Sequence, residues 1–341
     1  MKAIAKTGPE PGVELVDLPE PRVGPGELLI EVKACGICGS DLHFYLSELG
    51  AEKRIPSFPM ALGHEPAGVV LEVGPGVEGI HPGDHVACDP HGACGRCRTC
   101  RQGQLDLCDK VPVIGVQRHG ALAPYLSVPA PCVHPVPMSL DFTQVALLEP
   151  LSVGVHAVAI SSLKSGDEVI VLGPGPIGLM TALAARAAGA STVVVTGLGV
   201  DAGRLELARR LGFAAVNVEA ERPHETVLEV TGGRGGAVVF DATGAVSDVH
   251  RFARKGGELV LIGWPNRSLP QEALIQLFFK GITIRPVRAR PPAIWPRVIN
   301  LVTSGMIDPR PLITHELPLA DGIHGFELLV KREAMKVQVI P

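Results

Sequence analysis

Two kinds of hydrophobic pattern follow one another along the chain, and the change lies near residue 155. Before it, short apolar runs typical of β-strands are separated by turns rich in glycine and proline. Examples of these runs are Leu28–Val32, Ala67–Val73 and His85–Cys88. We therefore predict a small, mostly β domain for this part of the chain.

After residue 155, apolar runs of strand length alternate with segments of helix length. This alternation predicts βαβ units and a doubly wound parallel sheet, so the fold class is α/β. The segments are Glu168–Leu172, Ile177–Ala188, Thr192–Thr196, Ala202–Leu211, Ala214–Val218, Ala237–Phe240 and Glu258–Ile262. The last fifty residues predict a helix around Ala293–Thr303 and a strand at Val337–Ile340, and the pattern alone assigns them to neither domain.

A glycine motif joins the first strand of this sheet to its first helix. The segment is Gly173-Pro174-Gly175-Pro176-Ile177-Gly178. Gly173 allows the tight turn, Gly175 lets the backbone approach a pyrophosphate, and Gly178 lets helix and strand pack closely. The helix N-terminus, opened by Pro176 and Ile177, offers N–H groups to phosphate. The motif predicts a dinucleotide site, the alternative being a glycine turn in another doubly wound sheet.

The choice between NAD and NADP stays open. Dinucleotide folds usually place an acidic residue at the end of the second strand to bind the adenosine ribose, but this chain has Gly197 there. Asp201 could bind the ribose, or it simply caps the next helix. Arg204 could instead bind a 2′-phosphate.

Four cysteines within fifteen residues form a second motif, C-x2-C-x2-C-x7-C. They are Cys94, Cys97, Cys100 and Cys108. Thiolates at this spacing can surround one zinc ion at about 2.3 Å, which leaves no open position for a substrate. We predict a structural zinc site, with two disulfides or an iron–sulfur cluster as the alternatives.

A third group of metal-binding residue types is spread over distant segments. Cys38, the pair His64-Glu65, and Glu149 could form a zinc site with an open corner for water or substrate. Each of these residues alone is more often structural. Their presence beside a dinucleotide motif favours a catalytic metal.

Composition narrows the class of protein. The chain has 341 residues, 46% of them hydrophobic, which is enough for about two domain cores. A net charge of −4 and a pI near 6.3 argue against nucleic acid or anionic membrane as the main partner. No apolar run reaches the ~20 residues that span a bilayer. We expect a cytoplasmic protein whose eight cysteines are ligands or buried thiols.

These motifs, in this order, resemble the zinc-dependent medium-chain alcohol dehydrogenase superfamily. The similarity rests on Cys38-Gly39-Ser40-Asp41-Leu42-His43, Gly63-His64-Glu65, the cysteine quartet and the glycine motif, and it covers nearly the whole chain. The segment Glu149-Pro150-Leu151-Ser152-Val153-Gly154-Val155-His156 is similar to the polyol branch, typified by sorbitol (L-iditol) dehydrogenase. Threonine dehydrogenases, which are close relatives, usually have phenylalanine-glycine-asparagine after that Glu-Pro.

The resemblance implies a GroES-like catalytic domain over residues 1–154, a Rossmann domain over 155–287, and a return to the first domain over 288–341. It implies two zinc ions per chain. Cys38, His64 and Glu65 would bind the catalytic zinc, with Glu149 at the fourth position either directly or through water. The cysteine quartet would bind the other ion.

The resemblance also implies roles in proton transfer and substrate binding. Ser40 would accept the substrate proton and pass it toward His43. Tyr45 would line the pocket and Arg288 would contact the substrate, although the tyrosine that follows this arginine in the polyol branch is replaced by Ala289. A homotetramer or homodimer is expected.

The predicted function is NAD- or NADP-dependent oxidation of a secondary alcohol, a polyol such as sorbitol or xylitol. The alternatives are an L-threonine 3-dehydrogenase or a 2,3-butanediol-type dehydrogenase. A non-enzymatic dinucleotide-binding protein is disfavoured, because such relatives typically lack the cysteine, histidine and glutamate ligands.

Overall fold

The computed structural model describes residues 1–48, 50–108, 110–220, 222–245, 249–265 and 268–341. The chain forms two compact units, one made of residues 1–150 with 289–341 and the other of residues 151–288. The resemblance predicts these boundaries at 154/155 and 287/288. The first unit is thus built from two separate stretches of chain.

The described residues form strands and helices with the following bounds. The strands are β1 (Lys2–Lys6), β2 (Glu14–Asp17), β3 (Glu27–Gly36), β4 (Met60–Ala61), β5 (Glu65–Val73), β6 (His85–Cys88), β7 (Tyr125–Pro129), β8 (Val133–Pro135), β9 (Glu168–Leu172), β10 (Thr192–Gly197), β11 (Ala214–Asn217), β12 (Gly236–Asp241), β13 (Ala253–Leu261), β14 (Thr283–Pro286), β15 (Ile313–Pro318) and β16 (Lys336–Ile340). The helices are α1 (Gly39–Leu46), α2 (Arg98–Arg101), α3 (Phe142–Ala146), α4 (Leu148–Ile160), α5 (Pro176–Ala187), α6 (Ala202–Arg210), α7 (Pro223–Val230), α8 (Val249–Phe252), α9 (Gln271–Lys280), α10 (Trp295–Thr303) and α11 (Gly322–Val330). None of the described helices has the length and apolar character needed to cross a bilayer.

The second unit is organised around a six-stranded sheet in the order β11-β10-β9-β12-β13-β14. Neighbouring strands pair in parallel. Every residue of β9 and β12 is buried, as expected for central strands of a parallel sheet that is covered on both faces. The strand order is that of the doubly wound Rossmann fold, and the α/β prediction is confirmed.

The first unit is mostly β. A seven-stranded sheet runs in the order β15-β16-β3-β5-β6-β8, with β7 also paired to β3, and a smaller sheet has the order β2-β1-β4. Alternate residues of β3 are buried, so one face of this strand covers a core that includes Leu28, Ile30 and Phe326.

Four positions in the first unit carry the side chains of the candidate site. The turn between β3 and α1 holds Cys38, and Glu65 is the first residue of β5. Glu149 lies in the first turn of α4, and Lys336 opens β16. Because β16 pairs with β3, and β3 with β5, Lys336 and Glu65 lie at the same end of these neighbouring strands.

Candidate active site

Cys38, His64 and Glu65 come together as a candidate metal centre. Their ligand atoms, one sulfur, one ring nitrogen and one carboxylate oxygen, all lie within 4.8 Å of one another. Cys38 is the residue immediately before α1, and His64 and Glu65 are buried where β5 begins. Three protein ligands with a fourth position left over is the arrangement of a catalytic zinc site.

Asp41 fixes two of these three residues in place. Its Oδ2 accepts a hydrogen bond from the Cys38 N–H at 2.9 Å, and its Oδ1 lies 3.4 Å from His64 Nδ1. Engaging Nδ1 leaves Nε2 of His64 for a metal, which is the usual role of a carboxylate behind a histidine ligand. Burial acts to raise the pKa of Asp41, but the charge of His64, together with the hydrogen bonds from His64 and from the Cys38 N–H, lowers the pKa overall. The carboxylate is therefore ionised at neutral pH.

The pKa of His64 is shifted in turn by Asp41. Burial acts to lower the pKa of His64, but the charges of Asp41 and Cys38 raise it well above its ordinary value. Nε2 of His64 also lies 3.3 Å from the hydroxyl of Ser40. Asp41 is not among the predicted site residues, although its position three residues after Cys38, in the first turn of a helix, is a usable signal.

Glu65 is held by a buried lysine from the other end of the chain. Lys336 Nζ pairs with Glu65 Oε2 and donates a hydrogen bond to the Ile37 carbonyl at 3.0 Å. Burial acts to lower the pKa of Lys336, but the charges of Glu65 and Cys38 raise it. A Cβ at Gly36 would lie 2.0 Å from Glu65 Oε2, so only glycine leaves room for this carboxylate.

The other carboxylate oxygen of Glu65 supports the metal assignment. Oε1 is fully buried and has no hydrogen-bond partner among the described residues. A buried acceptor without a partner is costly, and coordination to a cation would remove that cost. The three side chains therefore fit a zinc ion.

Glu149 belongs to a second buried ionic network in the same unit. Arg290 Nη2 donates to Glu149 Oε1 at 2.5 Å and to Asp89 Oδ1 at 3.2 Å. Trp295 Nε1 donates to Asp89 Oδ2 at 2.9 Å. Burial raises the pKa of Glu149, and the nearby Arg290 offsets only part of this rise.

This network places a second arginine, Arg290, near the candidate metal ligands. Arg288, the predicted substrate contact, is exposed and belongs to the second unit. Arg290, two residues later, is 3% exposed, and the charge of Cys38 contributes to its raised pKa. The sequence Arg288-Ala289-Arg290 does not show which arginine is buried. Burial of Arg290 follows from the return of the chain to the first unit at Ala289.

The remaining predicted residues of this loop lie on α1. Tyr45 stacks on Phe326 with ring centroids 5.3 Å apart, so its ring packs against the core. His43 is partly exposed, and its Nδ1 lies 3.6 Å from Glu48 Oε2. Ser40 and His43 are thus about one helical turn apart, with Ser40 next to His64 and His43 partly exposed.

The cysteine quartet forms a second candidate metal centre. The four sulfurs lie within 4.8 Å of one another, and all eight cysteines of the chain are free, which does not support the disulfide alternative. Backbone N–H groups point at three of these sulfurs, as when Cys94 N–H donates to Cys108 Sγ at 3.4 Å. The hydrogen bond with Thr99 lowers the pKa of Cys97 to about 6. This environment suits thiolates that bind a metal.

The glycine motif has the geometry that a bound pyrophosphate requires. Gly173 adopts φ +97°, and a Cβ at Gly178 would lie 1.9 Å from the Gly173 carbonyl oxygen. Gly175 immediately precedes α5, no side chain caps that helix end, and a Cβ there would meet nothing within 4 Å. The helix N-terminus is therefore open to a phosphate.

Asp201, the candidate ribose-binding residue, and Arg204, the candidate 2′-phosphate-binding residue, lie at the start of α6. Asp201 is buried and precedes the helix, as a capping residue does, but its Oδ2 accepts a hydrogen bond from Leu198 N–H at 3.1 Å. Arg204 Nη1 lies 4.0 Å from Asp201 Oδ1. The structure thus brings these two side chains together.

Two family models match the chain. An alcohol dehydrogenase GroES-like domain matches residues 24–138, and a zinc-binding dehydrogenase domain matches residues 176–304. L-threonine 3-dehydrogenases from Bacillus velezensis and Bacillus subtilis are 36% and 35% identical over the whole chain and 99% of their own length.

Solved structures are also similar to this chain over its whole length. An alcohol dehydrogenase from a Thermus species has a TM-score of 0.90 at 32% identity, and 2R,3R-butanediol dehydrogenase from Bacillus subtilis has 0.88 at 30%. A zinc-binding dehydrogenase from Sinorhizobium meliloti bound to NADP has 0.89 at 32%. Each covers 100% of this chain and 99% of the other. These names favour the threonine or butanediol alternative over the predicted polyol substrate.

Proposed function

Because the chain belongs to the zinc-dependent medium-chain alcohol dehydrogenases, we propose that it oxidises the secondary hydroxyl of L-threonine. Family membership makes it an NAD(P)-dependent enzyme that acts on CH–OH donors. The choice of L-threonine as the substrate goes beyond what family membership shows. The similarity to L-threonine 3-dehydrogenases along the full chain supports it.

The buried charges beside the metal ligands are the structural observation that carries the proposal. Asp89 and Glu149 supply two carboxylates and Arg290 one guanidinium, all less than 5% exposed. L-threonine has an ammonium and a carboxylate, whereas sorbitol, xylitol and butanediol have neither. A site with charges of both signs complements a zwitterion. The substrate ammonium can interact with a carboxylate of the network, and the substrate carboxylate can interact with its guanidinium.

The side chains of the first unit have distinct tasks in this reaction. Cys38, His64 and Glu65 would hold the zinc. Zinc supplies Lewis acidity that lowers the pKa of a bound hydroxyl, and the nicotinamide of NAD(P) accepts the hydride. Asp41 orients His64, and Lys336 orients Glu65.

Proton removal is the task of α1 in this proposal. The Ser40 hydroxyl lies 3.3 Å from His64 Nε2, within reach of a group held at the metal centre. His43, on the same helix, is partly exposed and can exchange a proton with solvent. The cysteine quartet would hold a second zinc that orders residues 94–108 and takes no part in the chemistry.

Initial rates on L-threonine, (2R,3R)-butanediol, sorbitol and xylitol, each with NAD and with NADP, test the substrate. We expect kcat/KM to be highest for L-threonine, by at least about tenfold, or about 1.4 kcal/mol. A preference for butanediol would support the second candidate, which the butanediol dehydrogenase neighbour favours. A preference for sorbitol would return the assignment to the polyol branch.

Zinc content provides the matched control. The wild-type enzyme should hold two zinc ions per chain, and Cys38→Ala should hold one and lose activity on every alcohol. Its urea midpoint should fall only to that of the wild-type enzyme stripped of the same zinc, because both have lost the stabilisation that the bound ion provides. An active Cys38→Ala enzyme would contradict the proposed metal site whatever the substrate.

A further inference from the structure

The end of β10 lacks the acidic residue that usually binds the adenosine ribose, and the structure shows why it cannot be present. A Cβ at Gly197 would lie 2.8 Å from Pro174 Cγ and 3.1 Å from Leu205 Cδ2. Pro174 is the second residue of the glycine motif, so it cannot move away without disturbing the turn. Any selection between NAD and NADP must come from other side chains.

Two carboxylates occupy the loop that follows Gly197. Asp201 Oδ2 accepts a hydrogen bond from Leu198 N–H at 3.1 Å, and Glu219 Oε2 accepts one from Gly199 N–H at 2.7 Å. Glu219 reaches this loop from the end of β11, where its own N–H donates to Asn217 Oδ1 at 2.9 Å. Two successive backbone N–H groups that could otherwise bind a phosphate are therefore already used by carboxylates.

Arg204 on α6 places a guanidinium beside this loop, and it is the group that would favour NADP. Its Nη1 lies 4.0 Å from Asp201 Oδ1, so the positive charge is opposed by a neighbouring carboxylate. Glu219 adds a second carboxylate to the same loop through its contact with the Gly199 N–H. The local charge is thus unfavourable to an added anion.

We propose that Glu219, supported by Asp201, makes NAD the preferred cofactor by placing negative charge where the 2′-phosphate of NADP would lie. Ribose hydroxyls can donate to these carboxylates, whereas a 2′-phosphate would meet like charge. The proposal rests on dinucleotide binding at the carboxyl end of β10. It is independent of which alcohol is oxidised.

Calorimetric titration of the zinc-loaded enzyme with 5′-AMP and with adenosine 2′,5′-bisphosphate tests the proposal. The two probes differ only in the 2′-phosphate, and neither contains nicotinamide. Because Glu219 is exposed and its charge is partly screened, we expect 5′-AMP to bind more tightly by about tenfold. NADH and NADPH should show the same order of affinity.

Glu219→Gln keeps a hydrogen-bond acceptor and removes the charge. It should tighten binding of the bisphosphate and leave 5′-AMP binding unchanged, and Asp201→Asn should act in the same direction. Glu206→Gln is the matched control, since Glu206 is exposed on α6 and pairs with Arg209 at 3.2 Å, away from the loop. It should change neither affinity.

Three results would overturn the proposal. They are tighter binding of the bisphosphate by the wild-type enzyme, equal effects of Glu219→Gln and Glu206→Gln, and binding of neither probe. Since no alcohol is present, these results are separate from the outcome of the substrate panel.

Discussion

Asp41 links two of the three candidate metal ligands, through the backbone of Cys38 and the ring of His64. It is fully buried, and Asp41 and His64 each shift the other's pKa toward the charged form. A zinc ion binds the neutral ring of histidine, so the role of Asp41 with metal present is to hold the ring in one orientation.

Replacing Asp41 tests this role. Asp41→Asn should weaken zinc binding at the catalytic centre by about 10- to 100-fold, because the ring loses its charged partner. Zinc retained after dialysis against a graded chelator series measures the change. The quartet zinc should stay bound, and Asp308→Asn, which removes an exposed carboxylate paired with Arg310, is the control. Unchanged retention in Asp41→Asn would show that packing alone orients His64.

For individual residues, the sequence identifies metal ligands better than it identifies the charged side chains that pair with them. Cys38, His64 and Glu65 were predicted together, because their residue types and the resemblance point to a metal site. Lys336 and Arg290 were not, since each gains its role only when the last stretch of chain joins the first unit. A lysine at the start of a strand looks like a surface residue until its burial is known.

Among the elements, the turn from β9 to α5 shows most directly how backbone shape prepares a binding site. Gly178 and Gly175 are both glycines of one motif, but their surroundings differ. A Cβ at position 178 would collide with the Gly173 carbonyl, whereas a Cβ at position 175 would enter open space.

This contrast predicts two separable phenotypes. Gly178→Ala should destabilise the fold by about 1–3 kcal/mol, because the turn must open to admit the methyl group. Gly175→Ala should leave stability unchanged and weaken NADH binding, since the methyl group lies where the pyrophosphate would approach. Urea unfolding and NADH fluorescence titration measure the two effects. A Gly178→Ala enzyme as stable as wild type would contradict the geometry of the turn.

Element prediction succeeded where the hydrophobic pattern was strong. The predicted strands His85–Cys88 and Glu168–Leu172 agree with β6 and β9 residue for residue. The helix predicted at Ala293–Thr303 begins at Trp295 instead. Pro296 lacks an N–H and fits only the first turn of a helix, which sets this start. The short helix α1 was not predicted, because Cys38 and Gly39 at its start were interpreted as part of a metal-binding loop.

For the whole molecule, the most informative surface lies at the free edge of the Rossmann sheet. Strand β14 is the last strand of the sheet, and its four residues are exposed. On α9, Phe278 is 80% and Phe279 75% exposed, and Leu274 and Ile275 are about half exposed. An exposed edge strand and exposed aromatic side chains are features typical of surfaces that pair with another protein chain.

We predict that two copies of the chain associate through this face, since an edge strand can pair with its own copy about a twofold axis. Light scattering after size-exclusion chromatography should show a dimer or a multiple of it, and Phe278→Glu should reduce the assembly. Met138→Glu, at an exposed apolar residue of the first unit, is the control. A wild-type monomer at micromolar concentration would exclude this interface.

The pairing of Lys336 with Glu65 has a consequence for the order of events on the ribosome. Translation delivers Cys38, His64 and Glu65 early and Lys336 only near the end, whereas residues 151–288 are made as one uninterrupted stretch. The nascent chain can therefore complete its Rossmann sheet while the carboxylate of Glu65 still lacks its counter-ion. The proposed metal ligands therefore reach their final electrostatic environment only after β16 has been synthesised and inserted beside β3.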